Sequence, residues 1–401
     1  MDFAEAGAAA LRSLVQAVHF ARADDLPELA MRAGRELGAR DTFIYLTDYD
    51  QVVLVRMTAS GPAEQVVAVE GTLAGRAFSD LRLLDTTSAD GALTVWAPLL
   101  DGTDRFGVIE FQFDRGAERS DELISTCRDV ASLVAELTMT RARYGDLIER
   151  TRRRKPMTLA AEMQWGQLPP LTFVTSRVAI AGVLVPTDDV AGDSFDYAVN
   201  GDIAHVAIFD AMGHGLDATL MSSVAIGELR NSRRRQRPLV ETVAAMDTTI
   251  AERFGPERFV TAIVAELDLT TGKWVWINCG HPPALIVRRG HVVKSLEGAT
   301  NAPLGLLDGV PEAGTERLEP GDRLVLYTDG VTEARDEDGG FFGVERLVDF
   351  LTKQTAAGRP AAETLRRLNL AILEHQVDVL QDDATTVLVE WLTDEPDRSQ
   401  P

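Results

Sequence analysis

The residues whose types and spacing could do chemistry are aspartates at the ends of apolar segments. Asp210 follows an apolar run and opens the segment DAMGHG (210–215), with Asp193 upstream and Asp329 and Asp382 far downstream. An aspartate at such a position is held by rigid backbone and stays open to solvent. Several converging carboxylates form an all-oxygen site that suits hard divalent cations such as Mg²⁺ or Mn²⁺. The pattern therefore predicts metal-assisted attack of water on phosphate.

The Asn-Gly pair at 200–201 predicts a two-residue hairpin turn. Counting outward from that turn places Asp193 opposite Ile208, so that Asp193 and Asp210 become diagonal neighbours on one sheet face, with Cβ atoms about 7 Å apart. Two carboxylates at that separation can each reach metal ions about 3.5–4 Å apart. The alternative is that Asp210 caps a helix starting near His214, which leaves the recurrence of aspartates at strand ends unexplained.

Composition limits the classes of partner. The chain has 401 residues and a net charge of −22, from 62 acidic and 40 basic residues. Such a surface repels nucleic acid and anionic lipid, so we expect neither as a partner. Cys127 and Cys279 cannot form a disulfide framework, and the chain lacks a basic signal-peptide start and an apolar stretch of about 18 residues. A cytoplasmic protein without a membrane segment is predicted.

The pattern of apolar residues and turns predicts two domains joined by a helical linker. We expect a mixed α/β domain over residues 1–140, a linker over 141–171, a second domain over 172–393 and a loose tail over 394–401. In the second domain, hairpin turns between strands and separate helical segments indicate antiparallel sheet covered by helices, an α+β layout.

A heptad-like stripe runs along a long predicted helix from Leu123 to Ile148. Its members step by four and three residues. One interpretation is a helix that packs on its own domain, and the other is a dimerising coiled coil that carries a signal. We favour the second because the stripe extends past the preceding domain, and this predicts a homodimer. The basic run at 150–155 is interpreted as a solvated hinge.

Residues 172–393 resemble the PPM (PP2C-like) metal-dependent serine/threonine phosphatases, in the bacterial stage II sporulation protein E and sigma-factor-regulator subtype. Six segments match the motifs of that family in order: VAGDSFD (190–196), DAMGHG (210–215), NCGHPP (278–283), PLG (303–305), LEPGD through YTDGVTE (318–333) and DDAT (382–385). Ala191 replaces a usual glycine and Ser194 a usual aromatic residue.

The resemblance implies an αββα sandwich with two Mn²⁺ or Mg²⁺ ions at one end. Asp210 matches the carboxylate that bridges the two ions. Asp329 and Asp382 match ligands of one ion, and the backbone carbonyl of Ala211 matches a ligand of the other, with Asp193 on the same side.

Four further residues stand near these motifs. Asp196 and Asp383 are expected to orient the metal-binding groups. His214 and His281 are each open to two interpretations, as a general acid for the leaving serine oxygen or as a residue that shapes its loop, and we favour the second.

The N-terminal domain resembles a GAF sensory domain, by element order and by the segment Gly71–Phe78, which implies a small-molecule or protein signal. The linker resembles a helix whose rotation or docking switches assembly of the metal site in this subtype. The leading interpretation is thus a sensor-regulated phosphoprotein phosphatase acting on a phosphorylated, anti-anti-sigma-factor-like partner protein. The alternative is a pseudophosphatase scaffold that binds a phosphoprotein without turnover.

Overall fold

The computed structural model describes residues 3–17, 19–185, 192–376 and 383–392. The chain divides into two compact units between Pro156 and Met157. Within the described ranges no helix is long and apolar enough to cross a membrane. The predictions for Asp382, for Ala191 and for the tail concern residues outside these ranges.

The first unit is built on one antiparallel sheet with strand order β3-β2-β1-β6-β5-β4. Its strands are β1 (Ala39–Thr47), β2 (Val53–Thr58), β3 (Gly61–Ala68), β4 (Leu84–Thr87), β5 (Ala92–Asp101) and β6 (Asp104–Arg115). Its helices are α1 (Phe3–Ala17), α2 (Leu26–Glu36), α3 (Leu73–Asp80), α4 (Asp121–Ala142) and α5 (Leu147–Arg152).

Side-chain caps fix where two of these helices begin. The Thr72 side chain accepts a hydrogen bond from the backbone N–H of Gly75 at 3.0 Å, at the start of α3. The Ser120 side chain does the same for the N–H of Leu123 at 3.1 Å, at the start of α4. Each hydroxyl satisfies a backbone donor that the helix itself leaves without an acceptor.

The heptad-like stripe belongs to the core of its own unit. Cys127, Val130, Val134 and Leu137 are between 0% and 4% exposed, in one cluster with residues of α1, α2 and the sheet. The helix also ends at Ala142, and a separate helix, α5, follows. The coiled-coil interpretation was therefore wrong for this stripe, because periodicity reports a buried face without saying what buries it. A homodimer remains a prediction that this stripe no longer supports.

The second unit contains two six-stranded sheets. Its strands are β7 (Thr172–Val174), β8 (Val178–Val185), β9 (Asp193–Asn200), β10 (Ile203–Ala211), β11 (Val260–Asp268), β12 (Lys273–Cys279), β13 (Leu285–Arg288), β14 (His291–Ser295), β15 (Thr300–Asn301), β16 (Gly314–Arg317), β17 (Arg323–Tyr327) and β18 (Ala384–Trp391). Its helices are α6 (Leu159–Gln167), α7 (Gly215–Arg234), α8 (Leu239–Phe254), α9 (Asp329–Thr332), α10 (Gly343–Ala356) and α11 (Ala361–His375).

The two sheets face each other, and helices cover their outer faces. One sheet has the order β15-β12-β11-β10-β9, with β16 beside β12, and the other has β14-β13-β17-β18-β8-β7. Alternate residues of each strand enter different cores. Ile208 and Leu326 lie between the sheets, Phe209 packs with α7 and α8, and Val325 packs with α10 and α11. These are the four layers of the αββα sandwich, which confirms the predicted fold class.

The layer between the sheets is closely packed at Gly182 on β8. A Cβ atom at this position would lie 2.3 Å from Cζ of the fully buried Phe195, which belongs to β9 of the facing sheet. We expect Gly182→Ala to lower the free energy of unfolding of the second unit by about 1–3 kcal/mol, because the aromatic ring has to move.

Gly227 on α7 provides the matched control. It is exposed and a Cβ there meets nothing within 4 Å, so Gly227→Ala should stabilise the unit by up to about 1 kcal/mol through helix propensity. Urea unfolding followed by tryptophan fluorescence measures both variants, since four of the five tryptophans lie in this unit. Effects of the same sign would contradict the predicted packing.

Candidate metal centre

Asp193 and Asp210 stand directly opposite each other on neighbouring antiparallel strands. Asp193 is the first residue of β9, and Asp210 is the last but one of β10. Phe195 and Ile208, two residues further along each strand, both belong to the core between the sheets. By alternation the two carboxylates lie on that same face, at one end of the space between the sheets.

The observed register corrects the predicted one by two residues. Asn200 pairs with Ile203, so the turn is formed by Gly201 and Asp202. Gly201 has a φ of +59° and Asp202 does not have a positive φ, as in a turn with glycine at its first central position. A shift of two residues preserves the sheet face. It makes the two carboxylates direct partners, with Cβ atoms about 4.5–5.5 Å apart, where the prediction had diagonal ones.

Asp193 lies in an environment that disfavours its charge. Its side chain is buried, and the Thr328 hydroxyl donates a hydrogen bond to Asp193 Oδ2 at 2.6 Å. Burial raises the pKa of Asp193 well above its usual value, and the negative charges of Asp210 and Asp383 raise this pKa further. Two buried carboxylates, Asp193 and Asp383, thus interact with a half-buried one, Asp210.

The facing sheet contributes Thr328 and Asp383 to the same place. Asp383 immediately precedes β18, and its Oδ2 accepts hydrogen bonds from the backbone N–H of Gly192 at 3.1 Å and from Gln164 Nε2 at 3.0 Å. Gln164 Nε2 also donates to the backbone carbonyl of Asp193 at 2.6 Å. Asp383 therefore holds backbone and linker-helix groups around Asp193, and Gln164 is a contact of α6 that the sequence motifs did not indicate.

Asp329 is placed by a junction between β17 and β18. Thr328 precedes α9, and its backbone N–H donates to the carbonyl of Thr385 at 3.0 Å, while the N–H of Thr385 donates to Thr328 Oγ1 at 3.0 Å. A Cβ at Gly330 would lie 1.9 Å from the carbonyl oxygen of Asp383, so only glycine allows α9 to approach so closely. The exposed Asp329 is thereby held beside the residue that follows Asp382 in the chain.

Ala211 lies at the end of β10, and its carbonyl oxygen faces Gly192. The backbone N–H of Ala211 donates to the Gly192 carbonyl at 3.3 Å, and a Cβ at Gly192 would lie 2.8 Å from the Ala211 oxygen. Glycine at position 192 therefore keeps the space beside this oxygen open.

Asp196 lies apart from the other acidic residues. It is three residues from Asp193 on the same strand, so it points to the opposite face of the sheet. There Arg230 Nη2 and Arg233 Nη1, both on α7, each contact its carboxylate at 2.7 Å. The structure does not bring Asp196 to the metal-site groups, and its visible role is to fasten α7 to β9.

The two histidines occupy different environments. His214 is exposed and precedes α7. His281 is buried, and burial lowers its pKa to about 3, so it is neutral at physiological pH. Its ring Nδ1 lies 2.9 Å from the Thr261 hydroxyl, and its backbone N–H donates to Asn278 Oδ1 at 2.8 Å. These contacts shape the loop after β12.

Arg258 is a residue of this end of the sheet that sequence reasoning missed. Ala211 pairs with Val260, and the N–H of Met212 donates to the Phe259 carbonyl at 3.1 Å, so Arg258 comes next to Gly213. Arg258 Nη1 lies 3.6 Å from the position of a Cβ on Gly213. The signal available in the sequence was its position two residues before β11, the strand that pairs with β10.

The donor set fits hard divalent cations, because it consists of carboxylate and carbonyl oxygens. Buried carboxylates that repel one another are stabilised by a cation between them. Within the described ranges no three His, Cys, Asp or Glu side chains already form a metal-holding group. Asp382, one of the predicted ligands, lies outside those ranges.

An αββα sandwich with paired aspartates at one end of its central layer is the arrangement expected of the PP2C-like phosphatases. The family model described as Stage II sporulation protein E (SpoIIE) matches residues 200–392. This part of the chain is therefore a SpoIIE-type, PP2C-like phosphatase domain, and the family predicted from the sequence motifs is confirmed. The match lies outside the N-terminal unit, for which the GAF-like assignment stays a prediction.

Two relatives of known name and one solved structure are similar to part of this chain. Protein IcfG of Synechocystis sp. is 23% identical over 239 residues, which are 52% of this chain and 37% of IcfG. The phosphoserine phosphatase RsbU of Bacillus subtilis is 22% identical over 237 residues, which are 58% of this chain and 68% of RsbU. The crystal structure of the RsbU and RsbW domains of Rv1364c from Mycobacterium tuberculosis has 26% identity and a TM-score of 0.48, and covers 55% of this chain and 63% of that one.

Repulsion within the acidic group makes a prediction for the metal-free protein. Asp193→Asn removes one buried charge and keeps an oxygen that accepts the Thr328 hydrogen bond. We expect the melting temperature in EDTA to rise by about 2–4 °C, the shift that 1 kcal/mol produces in a unit of this size. Differential scanning fluorimetry measures it. Asp349→Asn, on the exposed face of α10, should leave the melting temperature unchanged, and a lower value for Asp193→Asn would contradict the predicted repulsion.

Proposed function

We propose that the second unit is a metal-dependent protein phosphatase that hydrolyses phosphoserine or phosphothreonine on a partner protein. The observation that supports this most is the direct pairing of Asp193 with Asp210 in a place where burial and like charges disfavour ionisation. The match of residues 200–392 to the SpoIIE family is the second support. Asp193, Asp210, Asp329 and Asp382, with the carbonyl of Ala211, are the proposed metal ligands.

Two bound Mn²⁺ or Mg²⁺ ions would lower the pKa of a water molecule towards neutrality and neutralise the charge that develops on the phosphate oxygens. The residues of the chain hold the site in shape. Thr328 orients Asp193 through its hydroxyl, and Asp383 fixes the Gly192 backbone beside the Ala211 carbonyl. The packed layer between the sheets, with Phe195 and Ile208 next to the aspartates, keeps bulk water from their inner side.

A covalent phosphocysteine intermediate does not fit this chain. Both cysteines are buried, and burial raises the pKa of Cys127 and of Cys279 to about 12. A thiol of this kind is not ionised at neutral pH and is a poor nucleophile. Direct attack by water is therefore the proposed reaction. His281 is neutral at physiological pH because its pKa is about 3, and the N–H of a neutral imidazole is too weak an acid to protonate a leaving oxygen. His214 is exposed to solvent.

We also propose that Arg258 holds the phosphate group of the substrate. Its guanidinium lies beside Gly213, and Gly213 follows Asp210 by three residues in the sequence. Its nearest ion-pair partner is the largely exposed Asp217, at 4.0 Å, and its own side chain is 43% exposed. A guanidinium with such a loose partner can turn towards a phosphate and bind two of its oxygens.

The substrate we propose is a phosphorylated regulatory protein of the anti-anti-sigma-factor type, with the N-terminal unit as the sensor. The support is the similarity to RsbU, which carries the name phosphoserine phosphatase. A route for regulation is offered by α6, because Gln164 contacts both the Asp193 carbonyl and the Asp383 carboxylate. A movement of α6 would remove both hydrogen bonds from the centre.

The first test of the proposed function is Asp210→Asn. The full chain should release phosphate from a phosphoserine peptide in the presence of Mn²⁺, and the substitution should lower kcat by at least about 100-fold, because it removes a shared metal ligand. Malachite-green assay of free phosphate measures the rate. Asp349→Asn, at an exposed position of α10 that is not among the proposed ligands, serves as the control for a change of one acidic residue. Peptide binding by the wild-type chain with no release of phosphate would favour the scaffold alternative.

The second test concerns Arg258. Arg258→Ala should raise KM for the phosphopeptide about 10-fold and change kcat less, since the guanidinium contributes mainly to holding the phosphate. Arg258→Lys should recover part of the loss, because a lysine keeps the charge without the planar fork. Arg253→Ala, an exposed arginine in the last turn of α8, is the matched control. An unchanged KM for Arg258→Ala would contradict the role assigned to this side chain.

A further inference from the structure

In the second unit, a cavity lies on the helix-covered face of the sheet that contains β9 and β10. It is at the end of that sheet remote from Asp193 and Asp210. It has a volume of about 740 Å³ and is bounded by the ends of β9 and β10, the centre of β11 and the connection from α7 to α8. Asn200 in its lining is seven residues along β9 from Asp193, a distance of about 23 Å in an extended strand. This cavity is therefore separate from the proposed catalytic centre.

The wall formed by the end of α7 is positively charged. Arg233, Arg234 and Arg237 all line the cavity. Arg233 and Arg230 both contact the one carboxylate of Asp196. Arg230, Arg233 and Asp196 together therefore carry a net positive charge. Such a surface is unusual in a chain with a net charge of −22.

Arg234 is the arginine best placed to bind a ligand. It is exposed, and among the described residues its guanidinium has no hydrogen-bond or ion-pair partner. Arg237, by contrast, contacts Glu228 at 3.2 Å. An arginine in a concave site without a protein partner keeps all its donors for an anion, and its planar fork matches two oxygens of a phosphate.

The remainder of the lining is mixed. His205 and Glu266 also line the cavity and contact each other at 3.3 Å, so the one carboxylate in the lining already has a protein partner. Ile203, Leu229 and Leu239 give an apolar side to the cavity, next to Pro238. Leu239 is also the first residue of α8, whose first backbone N–H groups have no acceptor within the helix. The cavity thus joins an apolar surface to a cationic one, as sites for small organic ligands do.

We propose that this cavity binds an organic phosphate of nucleotide size, with its anionic groups on Arg234 and Arg233 and its apolar body against Ile203 and Leu229. The volume exceeds what an inorganic anion needs, and the charge suits two or more phosphate groups. The proposal is independent of the phosphatase reaction, because none of these side chains belongs to the acidic centre.

The test is isothermal titration calorimetry, in which ADP is titrated into the full chain in the presence of EDTA. EDTA removes divalent cations, so the acidic centre repels the nucleotide. We expect saturable binding with one site per chain. Arg234→Glu should weaken it at least 10-fold through loss of the guanidinium and repulsion by the carboxylate.

Arg235→Glu is the matched control. Arg235 is the next residue, is also exposed, and does not line the cavity, so this variant has the same net charge and should bind ADP within two-fold of the wild type. Asp210→Asn should bind equally well. The melting temperature of each variant reports that it is folded.

Three results would overturn the proposal. The first is the absence of binding at millimolar ADP. The second is an equal loss of affinity in the Arg234→Glu and Arg235→Glu variants, which would assign the effect to overall charge. The third is pyrophosphate binding as tightly as ADP, which would remove the role of the apolar wall.

Discussion

Two carboxylates placed opposite each other on neighbouring strands repel, and burial strengthens that repulsion. Asp193 and Asp210 are nevertheless held in this position, because the backbone around them is fixed on both sides. β10 is paired along its whole length with β11, and β9 is anchored between the sheets by Phe195 and on the outer face by Asp196. The packing of the cores thus holds two like charges close together at one end of the layer between the two sheets. A cation bound between the carboxylates lowers their repulsion.

The facing sheet completes the site through its backbone as much as through its side chains. Thr328 joins β17 to β18 by two hydrogen bonds and holds Asp193 by a third, while Asp383 binds the N–H of Gly192. Each of these groups bridges segments that are far apart in the sequence. The positions of the acidic residues therefore depend on both sheets being assembled, and Gln164 makes them depend on α6 as well. The centre thus has contacts with α6 as well as with the two sheets.

The elements with strong periodicity and clear turn residues were predictable from the sequence. The apolar pattern and flanking residues predict strands over 178–185 and 323–327 and helices over 239–254 and 361–375, and the structure has β8, β17, α8 and α11 with these bounds. The short strands β14 and β16 are not marked in this way, because they lie at the margins of their sheets, are mostly polar and show no alternation of polar and apolar residues. The hairpin register was displaced by two residues, since an Asn-Gly pair marks a turn without fixing which two residues occupy its centre. The shared face survived that error because side chains alternate with a period of two.

The pattern of alternation also separates residues that a motif groups together. Asp193 and Asp196 belong to one motif, VAGDSFD (190–196), yet a spacing of three in a strand sends them to opposite faces. One meets Asp210 between the sheets, and the other meets two arginines of α7. The apolar stripe on α4 shows a second limit of sequence patterns. Its regular spacing indicated a buried face of the helix but not which surface covers that face. Spacing therefore determines which side of an element a residue occupies, whereas the chemistry it meets there depends on contacts between segments that only the assembled fold supplies.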